Sequence, residues 1–334
     1  MQIAITGDVM LGRLVNSVLS NDRFTYVWGD TLDIFRRADL SLINLECVIA
    51  STGEKWNKTF KVFHFRAYPE AIDVLKTASI DYTSLANNHV LDFDIDALVE
   101  MLDSLKKNKI AYSGAGRNLK EAMNPAILKN LKNAKVGIVS ITDNQPEWEA
   151  TDHSAGINYI PITLPEVYEN RLKRSIEEAR NNSDIVIVSS HVGPHFRKTP
   201  AKEYVNFAHK IIDLGADIYW GHSNHMPQGI EIYKKANLII YDAGDFIDDY
   251  AVDILHRNDL SFVFLLNFDD DDIANSQIML KEIVLIPTII SDCKANTASN
   301  QTAKLVIKRM VMKCNQLGTK CFVDVERNII KISI

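Results

Sequence analysis

The sequence predicts an α/β fold. Three observations predict it: short apolar runs alternate with amphipathic helical segments up to residue 220, hairpin patterns take over from residue 228, and 334 residues suffice to bury a sizeable core. Hydrophobic residues make up 46% and charged residues 24%, the proportions of an ordinary globular protein.

Residues 3–6 read as a strand that opens into the loop Gly7-Asp8. A second strand, 40–44, ends at Glu46, and a third, 82–85, runs into Asn87-Asn88-His89. Ile95, Leu98, Val99, Leu102 and Leu105 then recur at the 3–4 spacing of one helix face. Residues 136–141, 185–189 and 218–220 repeat the strand pattern, the last two running into His191 and His222, with a polar-rich helix over 165–179. The longest irregular stretch, 142–157, has the length at which loops are often functional.

Beyond residue 228, 230–233 turns at 234–237 and returns as 238–241. Strands at 261–267 and 279–286 flank the acidic stretch 269–272, which lacks the Gly and Glu spacing of a calcium-binding loop and reads as a solvated turn. Val306, Ile307, Met310, Val311 and Cys314 fall on one side of a helix over 303–317, and a hairpin around Glu326-Arg327-Asn328 closes the chain. No repeat, low-complexity tract or linker divides the sequence, so one domain over 1–334 is expected, with 288–334 packed onto it.

The net charge of −6 supplies no basic field for a nucleic-acid backbone. The opening MQIAITGDVM lacks the basic and apolar regions of a secretory signal, and no run of 18 apolar residues could span a membrane. A cytoplasmic location is expected. Cys47, Cys293, Cys314 and Cys321 form no CxxC and read as reduced thiols.

Five strand-end loops carry metal-ligand chemistry: those of Asp8, Glu46, Asn88-His89, His191, and His222 with His225. Taken singly, an Asp after a strand is a turn or cap residue, and a lone His is a satisfied structural side chain. Five together are another matter, because parallel sheets bind ligands beyond the carboxyl ends of their strands. Carboxylate, amide oxygen and imidazole suit Mn, Fe or Zn. A carboxylate such as Glu46 could bridge two ions about 3.5–4 Å apart, and water on such ions loses its proton near pH ~7. Arg13 and Arg66 carry guanidinium forks that could orient an anionic substrate, or simply form surface ion pairs.

GDVMLGR (7–13), NLE (44–46), SLANNHVLD (84–92), SGAGR (113–117), SSHVGP (189–194), GHSNHMPQGIE (221–231) and YDAGDFIDDY (241–250) resemble, in order, the signature blocks of the bacterial capsule-synthesis family of CapA/PgsA poly-γ-glutamate biosynthesis proteins. The resemblance spans residues 3–267 and implies a calcineurin-like metallophosphoesterase fold, a four-layer α/β/β/α sandwich of two mixed sheets between helices. It also implies roles. Asp8, Glu46, Asn88, His191 and His222 would be metal ligands, with Glu46 bridging and His225 a further ligand. His89 would protonate a leaving group. From their closeness in sequence, Asp92 or Asp94 could hold its ring and raise its pKa toward the working pH, making it a general acid or a transition-state stabiliser.

Two positions depart from the phosphoesterase pattern. Met10 stands where those enzymes place a His, and His225 falls one residue later than the second His of their GHxH motif. Asp245 occupies a place where many family members carry Asn. One or two divalent ions are therefore expected, with a phosphoester or γ-glutamyl amide as anionic substrate. A second expectation, from a different class, is a non-catalytic accessory or binding protein in capsule assembly.

Overall fold

The computed structural model describes residues 1–19, 23–129, 134–269 and 278–334. Two principal sheets give it a mixed α/β architecture. The larger runs in the spatial order Phe322–Asp324, Ile329–Ser333, Met279–Ser291, Leu260–Asp269, Gln2–Val9, Leu40–Leu45, Tyr82–Ser84, Ala111–Ser113. From Gln2–Val9 to Ala111–Ser113 its neighbours are parallel, and on the other side of Gln2–Val9 they are antiparallel. The smaller sheet is ordered Ile230–Tyr233, Asn237–Ile240, Ile218–His222, Ile185–His191, Lys135–Thr142, Ala126–Lys129, with its four middle strands parallel. Each predicted strand lies on one of these elements. Of the acidic stretch 269–272, residues 270–272 lie outside the described residues.

The period of two in a strand sorts side chains onto two faces, and here it produces three apolar clusters. Ile3, Ile5, Leu40, Leu42 and Tyr82 of the larger sheet meet Val136, Ile138, Ile185, Ile187, Ile218 and Trp220 of the smaller in one buried cluster. The intervening residues Ala4, Ile43 and Leu45 pack with helices Arg13–Val18, Leu32–Arg37, Ile72–Thr77 and Asp94–Lys107. Val139, Ile141, Val186, Val188 and Tyr219 pack with helices Glu166–Asn182 and Lys202–Asp213. Each aliphatic side chain buried in these layers contributes about 1.5–3 kcal/mol. The Trp220 indole also donates to the Thr6 carbonyl at 2.9 Å, tying the sheets together.

Helix Asp94–Lys107 buries Leu98, Leu102 and Leu105 as their spacing predicts, together with Met101, while Ile95 remains exposed. Helix Asn300–Gln316 joins neither helical layer. Its Val306, Ile307, Met310 and Cys314 enter the inter-sheet cluster, and it contacts both Met279–Ser291 and Ile230–Tyr233, closing one edge of the space between the sheets. Among the described residues no helix is long and apolar enough to cross a membrane, and the four cysteines are free thiols.

Candidate metal centre

The inward-facing positions change character toward the carboxyl ends of the strands. On the smaller sheet they read Ile185, Ile187, Ser189, His191 on one strand and Ile218, Trp220, His222 on the next. On the larger they read Leu40, Leu42, Asn44, with Glu46 immediately beyond the strand. A layer of serines separates the apolar cluster from the polar one: Ser84 and Ser140 hydroxyls lie 2.6 Å apart, and Ser189 reaches Ser84 at 2.9 Å. Asp8 joins the polar group because the register of Gln2–Val9 against Leu40–Leu45 slips between Ile5 and Asp8, an irregularity that re-aims a side chain. The segment after Asn237–Ile240 then lies directly on these strand ends. A Cβ on Gly7 would collide with the Gly244 carbonyl, and one on Gly221 with the Tyr241 carbonyl, so both positions require glycine.

Asp8, Glu46, His191, His222 and His225 are thereby brought to one place, and Asn88 lines the adjoining cavity with His225. His222 Nδ1 lies 3.5 Å and His191 Nδ1 3.9 Å from Asp8 Oδ1, and His191 Nε2 lies 3.7 Å from Glu46 Oε1. The His191 and His222 rings are neighbours, with centroids 6.3 Å apart. Asp8, Glu46, His225 and Asp245 each offer a ligand atom within 4.8 Å of the others. Surrounding groups hold these side chains in place. Asn44 Nδ2 donates to Asp8 Oδ1 at 2.7 Å, Ser189 Oγ sits 3.0 Å from His222 Nε2, and Tyr250 Oη donates to Glu46 Oε2 at 3.1 Å. Glu46 Oε1, Asn88 Oδ1, His191 Nε2, His222 Nδ1 and Asp245 Oδ2 are buried without a hydrogen-bond partner.

Those unpartnered atoms are of ligand type, and burying them bare is costly. A buried carboxylate costs several kcal/mol unless paired, and among the described residues the ion-pair partners of Asp8, Glu46 and Asp245 are histidines alone. The electrostatics record the conflict. Burial and then Asp242 push Asp8 up to about 7. Burial and neighbouring Asp8 and Asp245 push Glu46 well above the carboxylate range, and burial with Asp248 does the same to Asp245. Burial holds His222 down at about 3, and burial with His222 holds His191 well below the usual imidazole range. Neutral imidazoles facing crowded carboxylates are the donor set that a divalent ion fits.

His89 stands beside this cluster. Its Nδ1 lies 2.6 Å from Asp92 Oδ2, whereas Asp94 pairs with Lys58 instead. Lys61, nearly buried, reaches Asp92 Oδ1 at 3.3 Å and donates to the Asn88 carbonyl at 2.6 Å. Burial and then the Lys61 ammonium push His89 well below its ordinary value, the reverse of the expected rise. Arg13 reaches the cleft: it pairs with Asp249 at 3.3 Å and its guanidinium lies 5.6 Å from the Phe65 ring centroid. Arg66 does not. Its guanidinium turns to the Thr52 and Gly53 carbonyls and covers the Phe93 ring at 4.1 Å, and it is absent from the cavity lining. That cavity, about 400 Å³, contains Arg13, Lys61, Asn88, His89, His225 and Tyr250 in its walls. Arg13, Phe196 and His225 hold positive φ angles of 53°, 59° and 60°.

Sequence reasoning passed over Asp245, Tyr250 and Lys61 as parts of the site. Asp245 arrives on the three-residue strand Asp245–Ile247, paired in parallel with the first strand so that Asp8 and Asp245 are register partners. The acidic density of DAGDFIDD was the available signal. Met10, by contrast, is fully buried in the core and its sulfur accepts from the Gly12 amide at 3.0 Å.

The family described as Bacterial capsule synthesis protein PGA_cap matches residues 2–250. The chain belongs to that family. Within PGA_cap, it is 28% identical to a Mycobacterium tuberculosis protein named "Probable polyglutamine synthesis accessory protein", over 89% of this chain and 87% of that one. It is 26% identical to the capsule biosynthesis protein CapA of Bacillus anthracis and 27% identical to the PGA biosynthesis protein CapA of Bacillus subtilis, in each case over 74% of this chain. The matches span 59% and 63% of those two CapA proteins. Among solved structures, the protein TT1561 of Thermus thermophilus is similar at a TM-score of 0.40 and 13% identity, over 83% of this chain and 96% of that one.

Proposed function

We propose that this PGA_cap protein is a metal-dependent hydrolase acting on a phosphoester or an amide of an anionic substrate, within poly-γ-glutamate capsule biosynthesis. One observation carries the reading: five ligand-type atoms, on Glu46, Asn88, His191, His222 and Asp245, are buried without hydrogen-bond partners, and Asp8, Glu46, His225 and Asp245 each offer a ligand atom within 4.8 Å of the others. Asp8, Glu46, His225 and Asp245 would hold a divalent ion, with His191 and His222 beside Glu46 and Asp8 and the unpartnered Asn88 as further donors for one or two ions. Mn, Fe or Zn held there would supply Lewis acidity and a water acidic enough to attack near neutral pH. His89 would exchange a proton with the substrate, its ring oriented through Asp92. Arg13 would grip an anionic group, while Arg66 braces the turn at 52–53. The sheet-on-sheet core between two helical layers supports the calcineurin-like α/β/β/α type, and the shared inter-sheet cluster supports one domain from residue 1 to 334.

A second reading is a non-catalytic accessory that binds a glutamyl polymer. The packing of Met10 in an apolar cluster favours it, as does the accessory role in the name of the Mycobacterium relative. The experiment measures metal content of the purified protein, strips it with chelator, restores Mn²⁺, and assays bis(4-nitrophenyl) phosphate and γ-glutamyl peptides. Metal-dependent turnover of either substrate is expected. Stoichiometric metal with no turnover of either favours the accessory, and failure to bind Mn²⁺, Fe²⁺ or Zn²⁺ removes the site altogether.

A further inference from the structure

We propose that the cavity beside the metal cluster selects phosphate-bearing ligands with a flat ring, an aryl or nucleoside phosphate, and grips the ring between Phe63 and Phe196. The proposal rests on the hydrolase reading only for where the phosphoryl group sits; the ring preference comes from the walls themselves.

Those walls are built of rings. Phe63 and Phe65 stack at 6.2 Å with planes 26° apart, and Phe65 stacks on His89 at 4.0 Å and 24°. A near-parallel ladder thus runs from the cavity mouth to the proposed proton-exchanging imidazole. Phe196 enters from the loop after Ile185–His191 and stacks on His256 at 5.3 Å and 28°. Both outer rings are exposed, Phe63 by 58% and Phe196 by 42%. Phe196 lines the cavity from a left-handed backbone position.

Size and charge agree. A cavity of about 400 Å³ lies in the range of small-molecule sites, which pair apolar aromatic walls with a few placed polar groups. Arg13, still 41% exposed beside Asp249, supplies such a group at the rim. A γ-glutamyl chain has methylenes, amides and carboxylates but no ring, and would leave Phe63 and Phe196 unmatched. A stacked base or aryl ring would cover them, and stacking of this kind strengthens binding on the order of tenfold per ring.

The test is titration calorimetry on the full chain, with and without Mn²⁺, using AMP, ribose 5-phosphate and γ-glutamylglutamate. AMP should bind at least about tenfold more tightly than ribose 5-phosphate in both metal states. The paired substitutions Phe63→Leu and Phe196→Leu should erase that difference while leaving ribose 5-phosphate affinity and metal content unchanged. Equal affinity for AMP and ribose 5-phosphate, tighter binding of γ-glutamylglutamate, or no measurable binding of any of the three overturns the proposal. Ring preference without Mn²⁺ uptake upholds it and sinks the hydrolase reading instead. If the double variant misfolds by circular dichroism, the comparison in the unaltered protein decides alone.

Discussion

The two sheets make unlike contributions to the same cluster. The larger brings charge: Asp8, Glu46 and Asp245 are carboxylates with no lysine or arginine partner among the described residues. The smaller brings His191 and His222, imidazoles that burial keeps neutral. When no cation is present, burial and mutual repulsion push the carboxyls of the first half toward protonation, while burial leaves the imidazoles of the second half uncharged. A ligand set divided this way ties metal binding to the packing of one sheet on the other.

The sharpest way to break the contrast is to neutralise one half at a time. Glu46→Gln should lower metal content to a minor fraction and turnover by about 10³-fold or more, since the Lewis-acid contribution is worth several kcal/mol. The same substitution should raise the melting temperature of the chelator-treated protein, because the charged form of Glu46 is disfavoured by burial and then by Asp8 and Asp245. His222→Asn should also weaken metal binding yet give no such stabilisation, since it removes a neutral ring and its contact with Ser189. Metal analysis and thermal melts check both. Equal effects of the two variants on the metal-free melt would abolish the distinction.

Titration separates the halves more finely. Asp8 at about 7 and Asp248 at about 6 lie above their ordinary 3.8, so the folded metal-free chain holds protons that the unfolded chain releases. Their contribution to stability is full below pH ~4 and is lost as pH rises through about 7. The histidines act oppositely: His222, held at about 3, contributes above pH ~6.5 and loses that contribution as pH falls. The slopes partly cancel in the native sequence. In chelator, His222→Asn should therefore lose stability more steeply than the native protein as pH rises from 4 to 7, and Asp8→Asn less steeply. Parallel melting curves for all three would contradict the assignment.

The smallest expected effect lies outside both halves. Lys61→Met leaves the cluster intact but frees Asp92 and, through it, the His89 ring. Turnover should drop about 10–100-fold, the usual cost of an outer-layer partner, with metal content unchanged. A loss of metal would instead mean that Lys61 acts through Asn88, whose carbonyl it also holds.

Much of this was legible in the sequence, for physical reasons that can be named. Strands at 185–189 and 218–220 announced themselves by short continuous apolar runs, and one face of each strand carries on to Ser189, His191 and His222. Asp8 and Glu46 were visible because they terminate such runs. Asp245 was not, since a three-residue strand shows no periodicity and its partner lies at the other end of the chain. The direction of Arg66 depends on carbonyls at 52 and 53 that are close only after folding. The depressed His89 depends on burial and then on Lys61, which arrives from an irregular stretch that no pattern links to the Asn88 loop.

The placement of Gln2–Val9 bears on how this chain would respond to shortening. The family match ends at residue 250, yet on one side that strand pairs with Leu260–Asp269, which pairs in turn with Met279–Ser291. Cutting after the match would turn an interior strand into a bare edge and uncover Ile3 and Ile5, now roofed in part by Phe262, Phe264 and the closing helix. An unpaired, apolar strand edge is a template for sticking to other chains. The region that carries the recognisable motifs is therefore expected to aggregate by itself, and the less recognisable tail acts as its built-in solubility guard.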